Sequence, residues 1–570
     1  MQSTPRLKRL ALGATTAVIF TATLAMVSLQ SPTPTTAAND TNAATQSVIS
    51  PAGTWALFGG GLSRNMVNVH DRNIPDDFSV EEGSPLLKWK VDLGSKSYGG
   101  PTIAGGKIIV GTNNDRPRNP RDREKPTEEG ETGKALDKGL MMCFDEKTGQ
   151  FLWQAVHDKL PSGLVNDWPH EGICSSALIE GDRVYYVSNQ CRVVCVDLEG
   201  FANGNQGMVD EKYKDKTDAD FIWEMDMMKD LGVFPHNLAV CSPLIVGDII
   251  FIITANGVDA EHLNIPAPDA PSFIALDKKT GKLLWKDASP GRAIMHGQWS
   301  NPVYAVIKGV PQVIFPGGDG ILYAFKPDSG KLLWQFHCNP LDAKYELGGR
   351  GTKSDFIATP VIYNDLIYIG TGQDPEHLDG IGHLWCIDSS KATETNTDLT
   401  PKDQSFDPKS PKNKDSGLVW HFGGKEERKD AKREFVFGRT MSTCAIIDDI
   451  LYVAELNGFF FCLNAKTGEK YYHFDLKSGV WGSPYFVDGK VYIGNESGDL
   501  FIFRHDKAPV KMDEEDAKDA KDRKAIKKKV TDTYLIKQIA IDEPLRSTPV
   551  VNNGVLYLMS ERSLFAVAKK

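Results

Sequence analysis

The sequence predicts an all-β fold: an eight-bladed β-propeller of four-stranded antiparallel blades, closed by pairing of its N- and C-terminal segments. Two recurring phrases and one displaced strand predict it. The first phrase reads Cys143-Phe-Asp-Glu-Lys-Thr-Gly-Gln-Phe-Leu-Trp153 and Ala275-Leu-Asp-Lys-Lys-Thr-Gly-Lys-Leu-Leu-Trp285. It returns at Ala324–Trp334 and, ending in Tyr, at Cys462–Tyr472. The second phrase, near Ser-x-Pro, opens each copy, as in Cys241-Ser-Pro-Leu-Ile-Val-Gly-Asp-Ile-Ile-Phe-Ile. A strand–turn–strand unit that recurs in this way buries its apolar faces only by stacking on copies of itself.

The openings fall near Gly100, Ser176, Ser242, Asn301, Thr359, Thr443, Ser483 and Thr548. After each come an apolar strand, a Gly-Asp, Asn-Asp, Asp-Gly or Asn-Gly turn and another apolar strand. These are hairpin residues between half-buried strands. Each unit therefore holds strands A to D, with the aromatic on strand D. The last unit, Leu545 to Lys570, stops after strand C at Leu564-Phe-Ala-Val. Its missing strand is Leu86–Leu93, which carries Trp89 and precedes the first opening. Sharing one blade between the two ends removes the free sheet edges of an open ring. Trp223 and Trp420 take the strand-D slot in the second and fifth units, and Lys537 takes it in the degenerate seventh. Their regular position makes the tryptophans blade-to-blade packing residues. Cys143, Cys195, Cys386 and Cys462 share a slot with Ala275, Ala324 and Ala566, so they read as small buried apolar residues.

The chain has 570 residues, 41% hydrophobic and 25% charged, with a net charge of −10. That balance lacks the basic face of a general nucleic-acid binder. Arg6, Lys8 and Arg9 precede an apolar run from Leu10 to Leu29 and a small-residue exit at Ala37-Ala38. Residues 1–38 thus read as a signal peptide, cut before Asn39, or as an uncut N-terminal anchor. The implied location is periplasmic or extracellular, with membrane contact only through that segment. Residues 39–84 form an N-terminal extension expected to lie across one face of the ring, and 85–570 form the propeller. Insertions at 113–139, 200–220, 390–416 and 507–529 read as solvated loops, the last as a solvated helix, or as docking surfaces.

The two phrases together resemble the repeat of the PQQ-like (pyrroloquinoline-quinone) β-propellers over roughly Leu86 to Lys570. That family includes quinoprotein alcohol and glucose dehydrogenases and a cofactor-free scaffold of outer-membrane-protein assembly. The resemblance implies the fold and leaves two functions open. The chain lacks the adjacent Cys pair of soluble quinoprotein alcohol dehydrogenases and any Cys-x-x-Cys-His haem site. It also has no Cys before Cys143 to carry a lipid.

Loops D–A and B–C emerge on one face of a propeller, and they hold the unusual chemistry. A quinone would use Trp299 and Trp481 for stacking, Asn256 and Arg439 as donors and Asp319 as catalytic base. A hard cation such as calcium would use Asp259, Glu261, Asp374 and Glu376. A transition metal would use His262, His377 and His383 with Asp374. The first reading is an exported ligand- or protein-binding scaffold whose partner is a protein or glycan. The alternative is an enzyme, a PQQ- and calcium-dependent dehydrogenase of a small alcohol or sugar.

Overall fold

A computed structural model describes residues 51–126, 131–373, 375–377, 380–428 and 431–569. The expected signal segment 1–38 lies outside them. Left-handed turn residues such as Asp488 (φ 53°) and Gly489 (φ 70°) join strand A, Tyr485–Val487, to strand B, Lys490–Gly494. Positive φ at both turn positions matches the twist of the flanking strands. The same device recurs, and the strands assemble into eight antiparallel sheets, each with strands A to D in order. Strand Leu87–Asp92 pairs with Ser563–Val567, placing Trp89 opposite Ala566 and closing the ring between the two ends of the fold. Among the described residues no helix is long and apolar enough to cross a membrane.

The first phrase is a joint between blades. Within a blade the small residue of strand C pairs with the aromatic of strand D: Cys143 with Trp153, Ala275 with Trp285, Cys386 with Trp420. The indole then crosses to the Thr-Gly turn of the next blade. A Cβ at Gly281 would lie 2.5 Å from Trp223, at Gly330 2.7 Å from Trp285, and at Gly468 2.7 Å from Trp420. Gly149 receives Trp89 in the same way, so the joint also spans the closure. In Trp153, Trp223, Trp285 and Trp420 the indole N–H donates to a carbonyl of the next blade, as from Trp153 to Leu198 (3.0 Å) and from Trp420 to Ala465 (2.8 Å). All nine cysteines are free thiols. Burial raises that of Cys195 to about 12, so it is an inert apolar filler.

Where the joint is missing, other parts stand in. In the fourth blade Trp334 donates to Gln312 of its own blade, beside the 390–416 insertion. In the sixth, Tyr472 stacks on Tyr534 with ring centroids 4.3 Å apart. Tyr534 ends helix Ala520–Tyr534. The charged insertion is thus helical, as expected, and is fastened by its buried Val530 and Tyr534. In the seventh, Lys537 pairs with Ile502: with no indole to accommodate, the small slot is released.

The N-terminal extension does not merely lie across a face. It threads the axis. Strand A is the outermost of each blade's own four strands, so eight rows of backbone groups point inward, and in blade seven the row is paired in parallel by Val67–Asn68. Trp55 exchanges two 2.8 Å bonds with Ile103 of blade one, and Ala56 accepts from Ile179 of blade two. Leu62 accepts from Tyr304 of blade four, Ser63 from Ile362 of blade five and Met66 from Phe486 of blade seven. Asn65 and Asn68 bond Ile446 and Val551 of blades six and eight. Arg64, fully buried, serves blades three and four: its guanidinium donates to the carbonyls of Ser242, Pro243 and Pro302, and to Phe58. Burial lowers its pKa to about 10, so it stays charged near neutral pH.

Two outcomes test this account. Gly281→Ala should lower stability by about 2–4 kcal/mol, combining a left-handed backbone penalty with a clash against Trp223. Gly489→Ala, at a similar φ with open space around it, should cost only the backbone part, about 1–2 kcal/mol. Urea midpoints of the two variants compare them; equal losses would remove the joint. Arg64→Met leaves four buried carbonyls without their donor and should cost about 3–5 kcal/mol by the same measurement.

Candidate functional site

Above the threaded segment the D–A loops open into a funnel of about 430 Å³. Its base is a collar built by the second phrase. The first residue of an opening accepts from the neighbouring blade: Ser176 N–H to Ser242 Oγ (3.1 Å), Ser242 N–H to Asn301 Oδ1 (2.5 Å), Thr359 N–H to Thr443 Oγ1 (3.2 Å). Thr443 N–H continues to Ser483 Oγ and Ser483 N–H to Thr548 Oγ1, each at 2.9 Å. Asn301 Nδ2 donates to Thr359 Oγ1 (2.8 Å). Gly100 takes the eighth position without a side chain. Phe58 of the threaded segment completes the floor. The walls are aromatic: Tyr98, Trp168, Trp299 and Trp481. Trp481 stacks on Tyr98 at 5.5 Å, and the Arg546 guanidinium lies 4.6 Å from the Trp481 ring.

The sequence-derived residues divide by position. Trp299, Trp481 and Glu376 reach the funnel together. Asn256 is fully buried: Nδ2 donates to Ala267 O (2.8 Å) and Oδ1 accepts from Phe234 N–H (3.0 Å), clasping two loops. Asp319 is buried too, accepting from Tyr323 Oη (2.6 Å) and Ile321 N–H (3.2 Å). Arg439 donates to the His377 carbonyl (2.9 Å). Asp259 caps its own turn, accepting from Leu263 N–H, Asn264 N–H and Asn264 Nδ2, and Glu261 is exposed. Asp374 lies outside the described residues.

Of the expected histidines, His262 and His377 stand near one another, with ring centroids 6.4 Å apart, and His383 is engaged elsewhere. His383 meets His421 at 2.8 Å on blade five. His262, on the B–C loop of blade three, meets His236 and His296 instead, with Nε2–Nε2 distances of 3.1 and 3.2 Å. Those two lie on the D–A loops that flank that B–C loop. Counting blades places the three loops side by side, which is the signal that would have joined them. The His377 ring stands 4.8 Å from that of His296. Trp299 packs edge-on against His296 at 5.1 Å, so one indole faces both funnel and imidazoles.

Eight stacked sheets closed end to end, with a loop-lined funnel on the axis, define a repeat propeller. Residues 214–405 match the family described as "Outer membrane protein assembly factor BamB". Quinohemoprotein alcohol dehydrogenase ADH IIB of Pseudomonas putida is 34% identical over 127 residues, 18% of this chain and 18% of that protein. The dehydrogenase subunit of the quinone alcohol dehydrogenase of Gluconacetobacter polyoxogenes is 25% identical over 267 residues, 39% of this chain and 30% of that protein. The chain thus spans less than a third of the length of these curated relatives. Among solved structures, BamB from Moraxella catarrhalis aligns with 85% of this chain and 97% of its own, at 13% identity and a TM-score of 0.45. Repeat phrases, ring and sequence matches together support a likeness to the PQQ-like β-propellers.

The cofactor of that family's dehydrogenases is a tricarboxylate quinone, which needs cations with charge to spare. The described funnel lining does not offer them. Lys96 bonds Glu561 at 3.0 Å, and Arg546 bonds Glu561 at 2.7 Å and Glu496 at 3.1 Å. Glu171 and Glu376 add negative charge to the same lining. The Asp259 oxygens serve the turn rather than a converging set, and calcium wants six or more oxygens.

Burial raises the Asp319 carboxyl to about 6, with the Tyr323 hydrogen bond opposing it. The fold therefore holds this proton more tightly than the unfolded chain does, and stability from this group falls as pH rises from about 4 to 6. Asp319→Asn removes that loss. Relative to the native protein, the variant should gain about 1–3 kcal/mol between pH 4 and pH 7, read from urea midpoints at the two values. A pH-independent difference would show the carboxyl ionising normally.

Proposed function

We propose that the chain is an exported scaffold whose funnel receives an apolar or aromatic segment of a partner protein. The observation that carries this reading is the chemistry of the funnel: indole walls around a base whose hydroxyl and amide groups are largely engaged with one another. A sugar would need such groups free for its own hydroxyls. Aromatic side chains need only area and a rigid wall, which the stacked Tyr98, Trp481 and Arg546 supply. A volume of about 430 Å³ fits a short anchoring segment. Export rests on the basic, apolar and small-residue order of residues 1–38. The matched family's printed name, an assembly factor for membrane proteins, is in keeping with a protein partner.

The test uses labelled peptides bearing paired aromatic residues, read by fluorescence anisotropy on the full chain. Trp299→Ala and Trp481→Ala should each weaken binding about ten- to hundred-fold while the protein stays folded. Absence of binding, or binding that ignores both substitutions, overturns the reading. Stoichiometric uptake of PQQ with Ca²⁺, followed by reduction of an artificial electron acceptor, would replace it with the dehydrogenase.

A further inference from the structure

We propose that His236, His262 and His296 form a binding site for one transition-metal ion of the Zn²⁺, Cu²⁺ or Co²⁺ class. Their three ligand atoms lie within 4.8 Å of one another, with His262 Nε2 3.1 Å from His236 Nε2 and 3.2 Å from His296 Nε2. Two nitrogens bound to one tetrahedral zinc at their usual bond lengths stand about 3.3 Å apart. The donor set is all imidazole, which suits borderline first-row ions rather than calcium or magnesium. Three protein nitrogens leave a coordination position open, the arrangement of reactive rather than purely structural sites.

Proton accounting supports a cation. His236 Nδ1 lies 2.9 Å from the Val258 carbonyl, and a carbonyl only accepts, so Nδ1 carries the proton. The His236 Nε2 of a neutral ring is then a bare lone pair. If His262 Nε2 carries a proton, it serves His236 but has no lone pair for His296. If it is bare, its lone pair faces that of His236. Two short nitrogen–nitrogen contacts thus converge on the single His262 Nε2, a crowding that a shared cation relieves. A metal ion satisfies every lone pair at once. The Val258 carbonyl is then the outer partner that fixes the orientation of a ligating ring.

The surrounding backbone is built for the approach. A Cβ at Gly257 would fall 2.6 Å from His236 Cβ and 2.6 Å from the His296 carbonyl, and one at Gly348 would fall 2.6 Å from His262 Cβ. Ala255 and His262 hold left-handed φ values of 66° and 57°. Such strain persists only where surrounding structure enforces it, and it gathers at ligand sites. Val258 N–H donates to the His296 carbonyl (3.1 Å) and His236 N–H to the Ala255 carbonyl (3.2 Å), fastening the three loops together. The backbone thus gathers the three rings, and with their ligand atoms within 4.8 Å of one another a small ring movement completes the closure onto one ion.

The test uses the full chain, stripped with a chelator and titrated with Zn²⁺ by calorimetry and with Co²⁺ by visible absorption. One equivalent should bind, and Co²⁺ should show the d–d bands of a four-coordinate, nitrogen-rich site. His262→Asn, which keeps a residue tolerant of left-handed φ, should weaken Zn²⁺ binding roughly ten-fold or more with an unchanged urea midpoint. His296→Gln should do the same. His170→Asn alters an exposed loop histidine outside the trio and should leave binding unchanged. Failure of the native protein to bind either ion, or retention of full affinity by His262→Asn, overturns the proposal. Neither result depends on what enters the funnel, so this proposal and the scaffold reading fail separately.

Discussion

The architecture depends on an indole resting where the next blade has no Cβ. Packing of this kind is directional, because the ring fills one void and its N–H meets one carbonyl. It sets the spacing and rotation between wedges, and the wedges set where every loop emerges. The two halves of the repeated phrase are therefore one contact split between neighbours: the aromatic belongs to one blade and its glycine to the following one. The small residue opposite the aromatic is the third member, since a larger side chain there would displace the indole. Blade seven supports the rule by exception, losing aromatic and small residue together as Lys537 and Ile502.

A ring of sheets leaves a second demand at its centre. Eight edge strands face the axis, and a dry channel would strand their polar groups. The segment around Trp55 to Asn68 meets that demand by bonding inward positions of all eight blades. Arg64 is the extreme case, a buried cation held by carbonyls rather than by a carboxylate. Filling the axis also decides where chemistry can occur. Phe58 of that segment lines the funnel together with residues of the D–A loops.

The sequence exposed what repeats and hid what occurs once. The blades, the swapped strand at Trp89 and the cysteine slot were legible because each copy restates the same local pattern. The path of the threaded segment was not, since it meets each blade a single time and has no period. Site residues were half legible. Trp299 and Trp481 were placed correctly at the mouth by loop counting. Asn256 and Asp319 lay on the right loops, yet propeller loops bond heavily to one another, and both side chains are occupied in that work. For His262, the repeat alignment suggested His377 and His383 as fellow ligands, and the His377 ring does stand 6.4 Å away. Adjacency between blades selects His236 and His296 instead, because a B–C loop is flanked by the D–A loops on either side of it.

The same loop network separates two kinds of cavity at one mouth. In the funnel, charges are cancelled in pairs, as in Lys96, Arg546 and Glu561, so its remaining capacity for binding lies in aromatic surface. Beside it, three imidazoles bring their nitrogens together, His262 Nε2 lying 3.1 Å from His236 Nε2 and 3.2 Å from His296 Nε2. The first arrangement offers ring faces and the second offers nitrogen donors. Trp299 is the wall between them, touching His296 on one side and the funnel on the other. An occupant of the funnel would press on the indole that braces His296, so any influence of one site on the other has a direct physical route through a single ring.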